Sequence, residues 1–182
     1  MFVKRFSGHD VGFDSKTEMQ GNLFHFDFGS GCHRLKGFVG VDIRKDADAH
    51  ILISNDYWDK FPDNCAKTIH SCHFIEHLSY EDAFRIFELW YRMLVEGGKL
   101  QIFFPDLSKV DYQQNPESAL WFAWGTHVYK YDFHLSFWNS WLMKKYLKDY
   151  GFKNIKEVKY PADYHYWGDH DDNWTAGIEC EK

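Results

Sequence analysis

The 182 residues carry 21 Lys and Arg against 27 Asp and Glu, a net charge of −6, with 45% hydrophobic and 26% charged residues. That length predicts one domain over 1–182 with a substantial core, and the acidic balance excludes the basic stripe a nucleic-acid groove needs. No apolar run approaches the roughly 18 residues of a membrane span.

Residues 1–22 show no clear period, carry Gly8, Gly12 and Gly21, and read as an N-terminal arm or lid. The first residues lack the apolar stretch of a signal peptide. Leu23 to Phe28 is a short apolar run stopped by Gly29-Ser30-Gly31, which predicts a buried strand. Further strands are expected near 37–42, 50–53, 66–72, 99–104, 153–160 and 175–180. Ser79 opens the clearest helix: it is an N-cap residue with Asp82 three positions on. Ala83, Phe84, Phe87, Trp90, Met93 and Leu94 follow at the steps of an amphipathic face, and Gly97-Gly98 supplies the stop.

Residues 107–136 look irregular and aromatic, as expected of a segment that covers a substrate. Phe, Tyr and Trp make up 20% of the chain and crowd its second half, where they suit an enlarged core or an aromatic-lined pocket. A second helix is predicted over Phe137 to Tyr150, with Trp138, Trp141, Leu142, Tyr146 and Leu147 turned inward and Gly151 as its end. Lys144, Lys145 and Lys148 then form a solvated face. Cys32, Cys65, Cys72 and Cys180 make no C-x-x-C pair, which points to reduced thiols and a cytoplasmic setting.

Strands alternating with helices predict an α/β three-layer sandwich with a mostly parallel seven-stranded sheet. Ligands of such sheets bind outside the carboxyl ends of the strands. Asp27 to Gly31, Asp42, Asn55-Asp56, His73 to His77 and Pro105-Asp106 all stand just after apolar runs.

Phe26-Asp27-Phe28-Gly29-Ser30-Gly31, then Gly37-Phe38-Val39-Gly40-Val41-Asp42, His73-Phe74-Ile75-Glu76-His77-Leu78-Ser79, Leu94-Val95-Glu96-Gly97-Gly98-Lys99-Leu100 and Pro105-Asp106 follow one another in a specific order. That order resembles the class I S-adenosylmethionine-dependent methyltransferases, in their compact methyltransferase-11-like branch. The likeness covers 23–107 well and 132–180 loosely. It implies a Rossmann-like methyltransferase fold and S-adenosyl-L-methionine as cofactor. It also implies a cofactor site at Asp27, Gly29, Ser30, Gly31, Asp42, Ile43, Asn55, Asp56 and His73.

The chemistry gives these residues roles. Glycines at 29 and 31 allow tight turns and close approach of backbone to ligand. The Asp42 carboxylate suits the paired hydroxyls of a ribose, and its place at a strand end predicts little part in folding. Candidates for the base that takes a proton from the acceptor are His73, His77, Asp106 and His134. Trp121, Trp124, His127 and Tyr129 are expected near the acceptor, a small molecule or a glycan-type compound. Only Cys32 to Lys36 separate Gly31 from the next strand, too few residues for the usual crossover helix. Arg34 also stands where a dinucleotide fingerprint has its third glycine, against a nicotinamide or flavin reading.

Two other readings compete. His73-Phe74-Ile75-Glu76-His77 matches H-x-x-E-H, a zinc-hydrolase motif that needs a helix to bring its His pair together, whereas here it follows a strand. His165, Asp169, His170, Asp171 and Asp172 form a second stretch of metal-ligand types, equally explained as a turn. The third reading is a non-catalytic binding module that keeps the sheet. The methyltransferase reading calls for no metal.

Overall fold

The computed structural model describes residues 2–6, 9–13, 19–20, 23–53, 61–111, 113, 116–128, 130–161 and 174–182. The described residues form ten strands: β1 (Phe2–Phe6), β2 (His9–Phe13), β3 (Met19–Gln20), β4 (Leu23–Phe28), β5 (Val39–Asp42), β6 (Ile51–Leu52), β7 (Ala66–Cys72), β8 (Leu94–Pro105), β9 (Lys153–Val158) and β10 (Thr175–Glu181). The helices are α1 (Tyr80–Met93), α2 (Pro116–Trp124) and α3 (Ser140–Asp149). None is long and apolar enough to cross a membrane.

All seven expected strands lie in one sheet of order β6-β5-β4-β7-β8-β10-β9, with β3 paired to β4. From β6 to β8 the neighbours are parallel, and β10 runs antiparallel to both β8 and β9. This is the α/β Rossmann-like arrangement that the alternation of elements predicts. The N-terminal arm contains the antiparallel pair of β1 and β2 as well as β3.

Alternation along β4 divides the sheet into two faces. Phe24, Phe26 and Phe28 point to the face covered by α1, where Trp90 meets Phe28 at 5.6 Å between ring centroids. Helix α3 packs beside α1 through Phe84 and Tyr146 at 4.7 Å and Phe87 and Tyr150 at 5.9 Å. The opposite face carries Asp27, His70 and Phe103. Among the described residues it is covered by the 29–38 loop, whose Phe38 lies 6.3 Å from His70, and by Tyr160, 5.5 Å from Phe103. A loop stands there because ten residues between β4 and β5 leave no room for a helix. Gly40 makes that loop fit: a Cβ there would lie 2.6 Å from the Arg34 side chain, which crosses it to reach Phe38 O at 2.8 Å.

Helix α1 starts as its cap predicts, with the Asp82 amide donating to Ser79 Oγ at 3.1 Å. It ends at Met93 rather than at the Gly97-Gly98 stop, because fully buried Leu94 is taken into the sheet opposite Ala66. The segment 107–136, expected to be irregular, contains α2, which begins on Pro116, a residue suited to a first helical turn.

Helix α3 starts later than Phe137, with the Asn139 side chain accepting from the Leu142 amide at 2.8 Å. Its buried residues are Met143 and Leu147. Trp141, two residues before Met143, lies about 200° around the helix, so it is 69% exposed instead of facing the core. Lys144 and Lys145 pair with Glu157 and Asp149 on its outer side.

Candidate cofactor and active site

At the carboxyl ends of β4, β5 and β7 lies a cavity of about 590 Å³. Its wall includes Gly29, Gly31, Asp42, Ile43 and His73 from the expected cofactor set, and His77 from the expected bases. Asn55 and Asp56, also expected there, lie outside the described residues, as do His165, Asp169, His170, Asp171 and Asp172.

Two loops are tied together beneath this cavity. Asp42 Oδ2 accepts from the Gly31 amide at 2.8 Å and Oδ1 from the Arg44 amide at 2.8 Å. Asp42 thus holds the turn after β4 in place, which corrects the expectation that it has little part in folding. Each carboxylate oxygen keeps a second acceptor direction for a ligand. Gly29 (φ +73°) and Gly31 (φ +51°) both take the left-handed conformation that glycine adopts readily. A Cβ on Gly29 would fall 2.7 Å from the Phe74 side chain, whereas at Gly31 it would meet nothing nearer than the Gly29 carbonyl at 4.0 Å.

Asp27 and Ser30 are buried instead of lining the cavity. Asp27 Oδ1 meets His70 Nδ1 at 2.8 Å with both side chains buried, and its Oδ2 accepts from the Leu35 amide at 2.9 Å. Ser30 Oγ donates to Asp48 O at 3.1 Å. Both fix the loop that replaces the crossover helix.

Asp106, expected as a base, is likewise committed elsewhere. It accepts from the Ser108 amide and hydroxyl at 2.9 and 2.5 Å and from the Ser140 amide and hydroxyl at 3.0 and 2.6 Å. Burial pushes its carboxyl up, but these bonds outweigh it and hold the group below the ordinary carboxylate value. Its position tethers the start of α3 to the end of β8, and we read it as a structural acid.

The other three expected bases converge on a residue the sequence reading left outside the site. Glu76, on a short 3-10 turn Ile75–His77, is 2% exposed. His73 Nδ1 lies 3.3 Å and His77 Nε2 3.9 Å from Glu76 Oε1. The rings of His77 and His134 are 5.0 Å apart. Burial pushes the Glu76 carboxyl up, but His73 beside it and the charges of His77, His73 and His134 outweigh this and bring it down to about 2. Burial in turn holds the His134 imidazole below its ordinary value.

His134 reaches this place because its segment is sewn to the turn. The amides of Leu135 and Ser136 donate to Glu76 O at 2.7 and 3.1 Å, and Ser136 Oγ donates to Ile75 O at 3.1 Å. A contact spanning some sixty residues leaves no local signal.

His73 has φ +48°, uncommon for a non-glycine residue, and its Nε2 lies 3.4 Å from Thr175 Oγ1. The H-x-x-E-H stretch therefore runs from a strand end into a 3-10 turn, and its two His residues do not share a helix face. This is the placement expected from its position after a strand, and it does not supply the helix that the zinc-hydrolase motif needs.

Trp121 and Trp124, expected beside the acceptor, are 62% and 61% exposed. His127 is exposed as well, and Tyr129 lies outside the described residues. The residues of this segment that do line the cavity are Lys130, Tyr131, Phe133 and Leu135.

The sheet order and the cavity at its carboxyl edge define the fold of the S-adenosylmethionine-dependent methyltransferases. Solved structures agree. A methyltransferase of this kind from Archaeoglobus fulgidus superposes with a TM-score of 0.63 at 16% identity, over 89% of this chain and 87% of that one. One from Thermotoga maritima, described as a possible histamine N-methyltransferase, gives 0.58 at 15% identity over 87% and 81%. A phosphoethanolamine N-methyltransferase of Haemonchus contortus, bound to phosphomonomethylethanolamine and S-adenosylhomocysteine, gives 0.57 at 13% identity over 91% of this chain and 50% of that one. At such identities the likeness is one of fold. No protein-family model and no curated protein matches the sequence.

Proposed function

We propose that this protein transfers the methyl group of S-adenosylmethionine to a small-molecule or glycan-type acceptor. The observation that carries the reading is the joining of Gly29, Gly31, Asp42 and Ile43 with His73 around one cavity at the carboxyl edge of the sheet. The residues fit the cofactor: open space beside Gly31 admits a ligand against the backbone, and Asp42 retains acceptor directions for a ribose diol.

The bound cofactor supplies an electrophilic methyl group on a sulfonium that leaves as a neutral thioether. The protein's own work is then orientation and proton removal. Holding the acceptor in line contributes on the order of 7–11 kcal/mol in favourable cases. Ile43, Ile53, Tyr131, Phe133 and Leu135 offer apolar wall to the cavity. With the cofactor bound, the pocket would hold the acceptor in line with that methyl group, and an imidazole would take the acceptor's proton.

His73 Nε2 is the proposed proton acceptor, with Nδ1 oriented by Glu76. The left-handed backbone at His73 supports this, since such conformations cost about 1–3 kcal/mol and gather at functional sites. Titration calorimetry with S-adenosylhomocysteine tests the proposal: 1:1 binding is expected, weakened by Asp42→Ala. Absence of binding to the folded protein would overturn it.

A further inference from the structure

Glu76, His77 and His134 form a cluster with an unusual hydrogen-bond balance. Among the described residues, neither carboxylate oxygen of buried Glu76 accepts a hydrogen bond of good geometry, and the 3.3 Å approach of His73 Nδ1 to Oε1 is a charge contact that leaves Oε2 unmet. A buried carboxylate so poorly hydrogen-bonded is costly, and native structures compensate it with a proton, a cation or a donor.

The facing imidazoles are set up as poor donors toward it. His77 Nδ1 lies 3.0 Å from Phe133 O and His134 Nδ1 2.6 Å from Phe122 O. A carbonyl oxygen only accepts, so each Nδ1 carries the hydrogen, and in the neutral ring Nε2 is left with a bare lone pair. For His77 that lone pair stands 3.9 Å from Glu76 Oε1, too far for a hydrogen bond. Two lone pairs and a carboxylate turned toward one another repel unless something positive lies between them.

We propose that Glu76, His77 and His134 are the ligands of a divalent cation of the zinc type. One ligand atom from each residue lies within 4.8 Å of the others. Bonds of roughly 2.0–2.2 Å place tetrahedral neighbours about 3.4 Å apart, so small side-chain rotations close the site. Two imidazoles and one carboxylate suit zinc or a neighbouring first-row metal rather than calcium or magnesium.

The backbone carbonyls on both Nδ1 atoms are the outer partners that metal-bound histidines commonly have. The donor set differs from that of the H-x-x-E-H motif: Glu76 serves as a ligand, and His134 enters from a distant segment in place of His73. Three protein ligands leave a fourth position for water or an acceptor oxygen, and His77 also lines the cavity. The acceptor role rests on the methyltransferase reading; the ion site does not.

The test is calorimetric titration of zinc chloride into the chelator-treated full chain, with cobalt as a spectroscopic probe. Expected are one zinc per chain and a dissociation constant in the micromolar range or tighter. Cobalt should give the intense visible bands of a tetrahedral ion. Glu76→Gln, nearly isosteric, and His134→Ala should each weaken binding at least tenfold, while His25→Ala leaves it unchanged. Circular dichroism confirms that each variant is folded. The proposal is overturned if the parent binds no zinc, or if its zinc survives both substitutions and is lost instead with His165→Ala and His170→Ala. Melting with S-adenosylhomocysteine, run in parallel, separates the two claims: ligand stabilisation without zinc binding sinks only this one.

Discussion

The amide of Gly31 donates to Asp42 Oδ2 at 2.8 Å, so the turn after β4 and the end of β5 are held by one carboxylate. Removing it should therefore have two separable effects. Asp42→Ala is expected to weaken S-adenosylhomocysteine binding by roughly 10- to 100-fold, and to lower stability by about 1.5–3 kcal/mol through the lost charged hydrogen bonds. Asp42→Asn, which keeps one acceptor oxygen, should lose less of both. Asp48→Ala removes only a 3.4 Å contact between Arg34 and an exposed carboxylate, and should change stability by less than about 1 kcal/mol. Unaltered affinity in a folded Asp42→Ala protein would remove the site assignment.

Glycines 29 and 31 should respond unequally to a methyl group. Either alanine carries a left-handed backbone penalty of about 1–2 kcal/mol. At Gly29 the added carbon also collides with Phe74, whereas Gly31 has room. Urea unfolding should rank Gly29→Ala well below Gly31→Ala in stability; equal losses would show that Phe74 yields freely.

Asp27 offers a contrast, because its partners are structural. Breaking its buried pair with His70 by Asp27→Ala should cost about 3–5 kcal/mol. Asp27→Asn keeps an oxygen for one partner and should be milder. If Asp27→Asn lowered cofactor affinity while leaving the melting temperature untouched, the carboxylate would belong to the ligand after all.

Acid should expose the role of Asp106. Its folded-state carboxyl is held below the ordinary carboxylate value, so its contribution is fully present above the unfolded value. That contribution is lost as pH falls through the lower folded one. Asp106→Asn should be destabilised at pH 6, with the gap to the parent narrowing below about pH 4. A gap independent of pH would contradict the assignment.

Much of this fold was legible locally. Strands β4, β5 and β8 are apolar runs closed by Gly29, Asp42 and Pro105, and Ser79 with Asp82 marks the start of α1. The cavity wall at Gly29, Gly31 and Asp42 follows from the same pattern. What escaped depends on distant partners. Helix α1 ends early because Leu94 finds Ala66, and Trp141 faces solvent because the core takes the side of α3 that carries Met143 and Leu147. Helix α2 lies among so many aromatics that apolar spacing gives no clear period. Glu76 is legible as the acid of an H-x-x-E-H stretch, but its meeting with His134 depends on residues 134–136 docking on its turn.

The helix-free link between β4 and β5 also bears on the order in which the chain folds. Phe26 meets Val39 across 13 residues of chain but Ile69 across 43. Loop-closure entropy grows with the logarithm of length, so the shorter link closes at about 1 kcal/mol less cost. Parallel neighbours are ordinarily slow to find each other because a long crossover must close first. Here the first parallel ladder forms almost as a hairpin does, and it places the Gly31 amide against Asp42 before β10 has arrived. Folding kinetics would register this as φ-values higher at Val39→Ala than at Ile178→Val, and the reverse order would refute it.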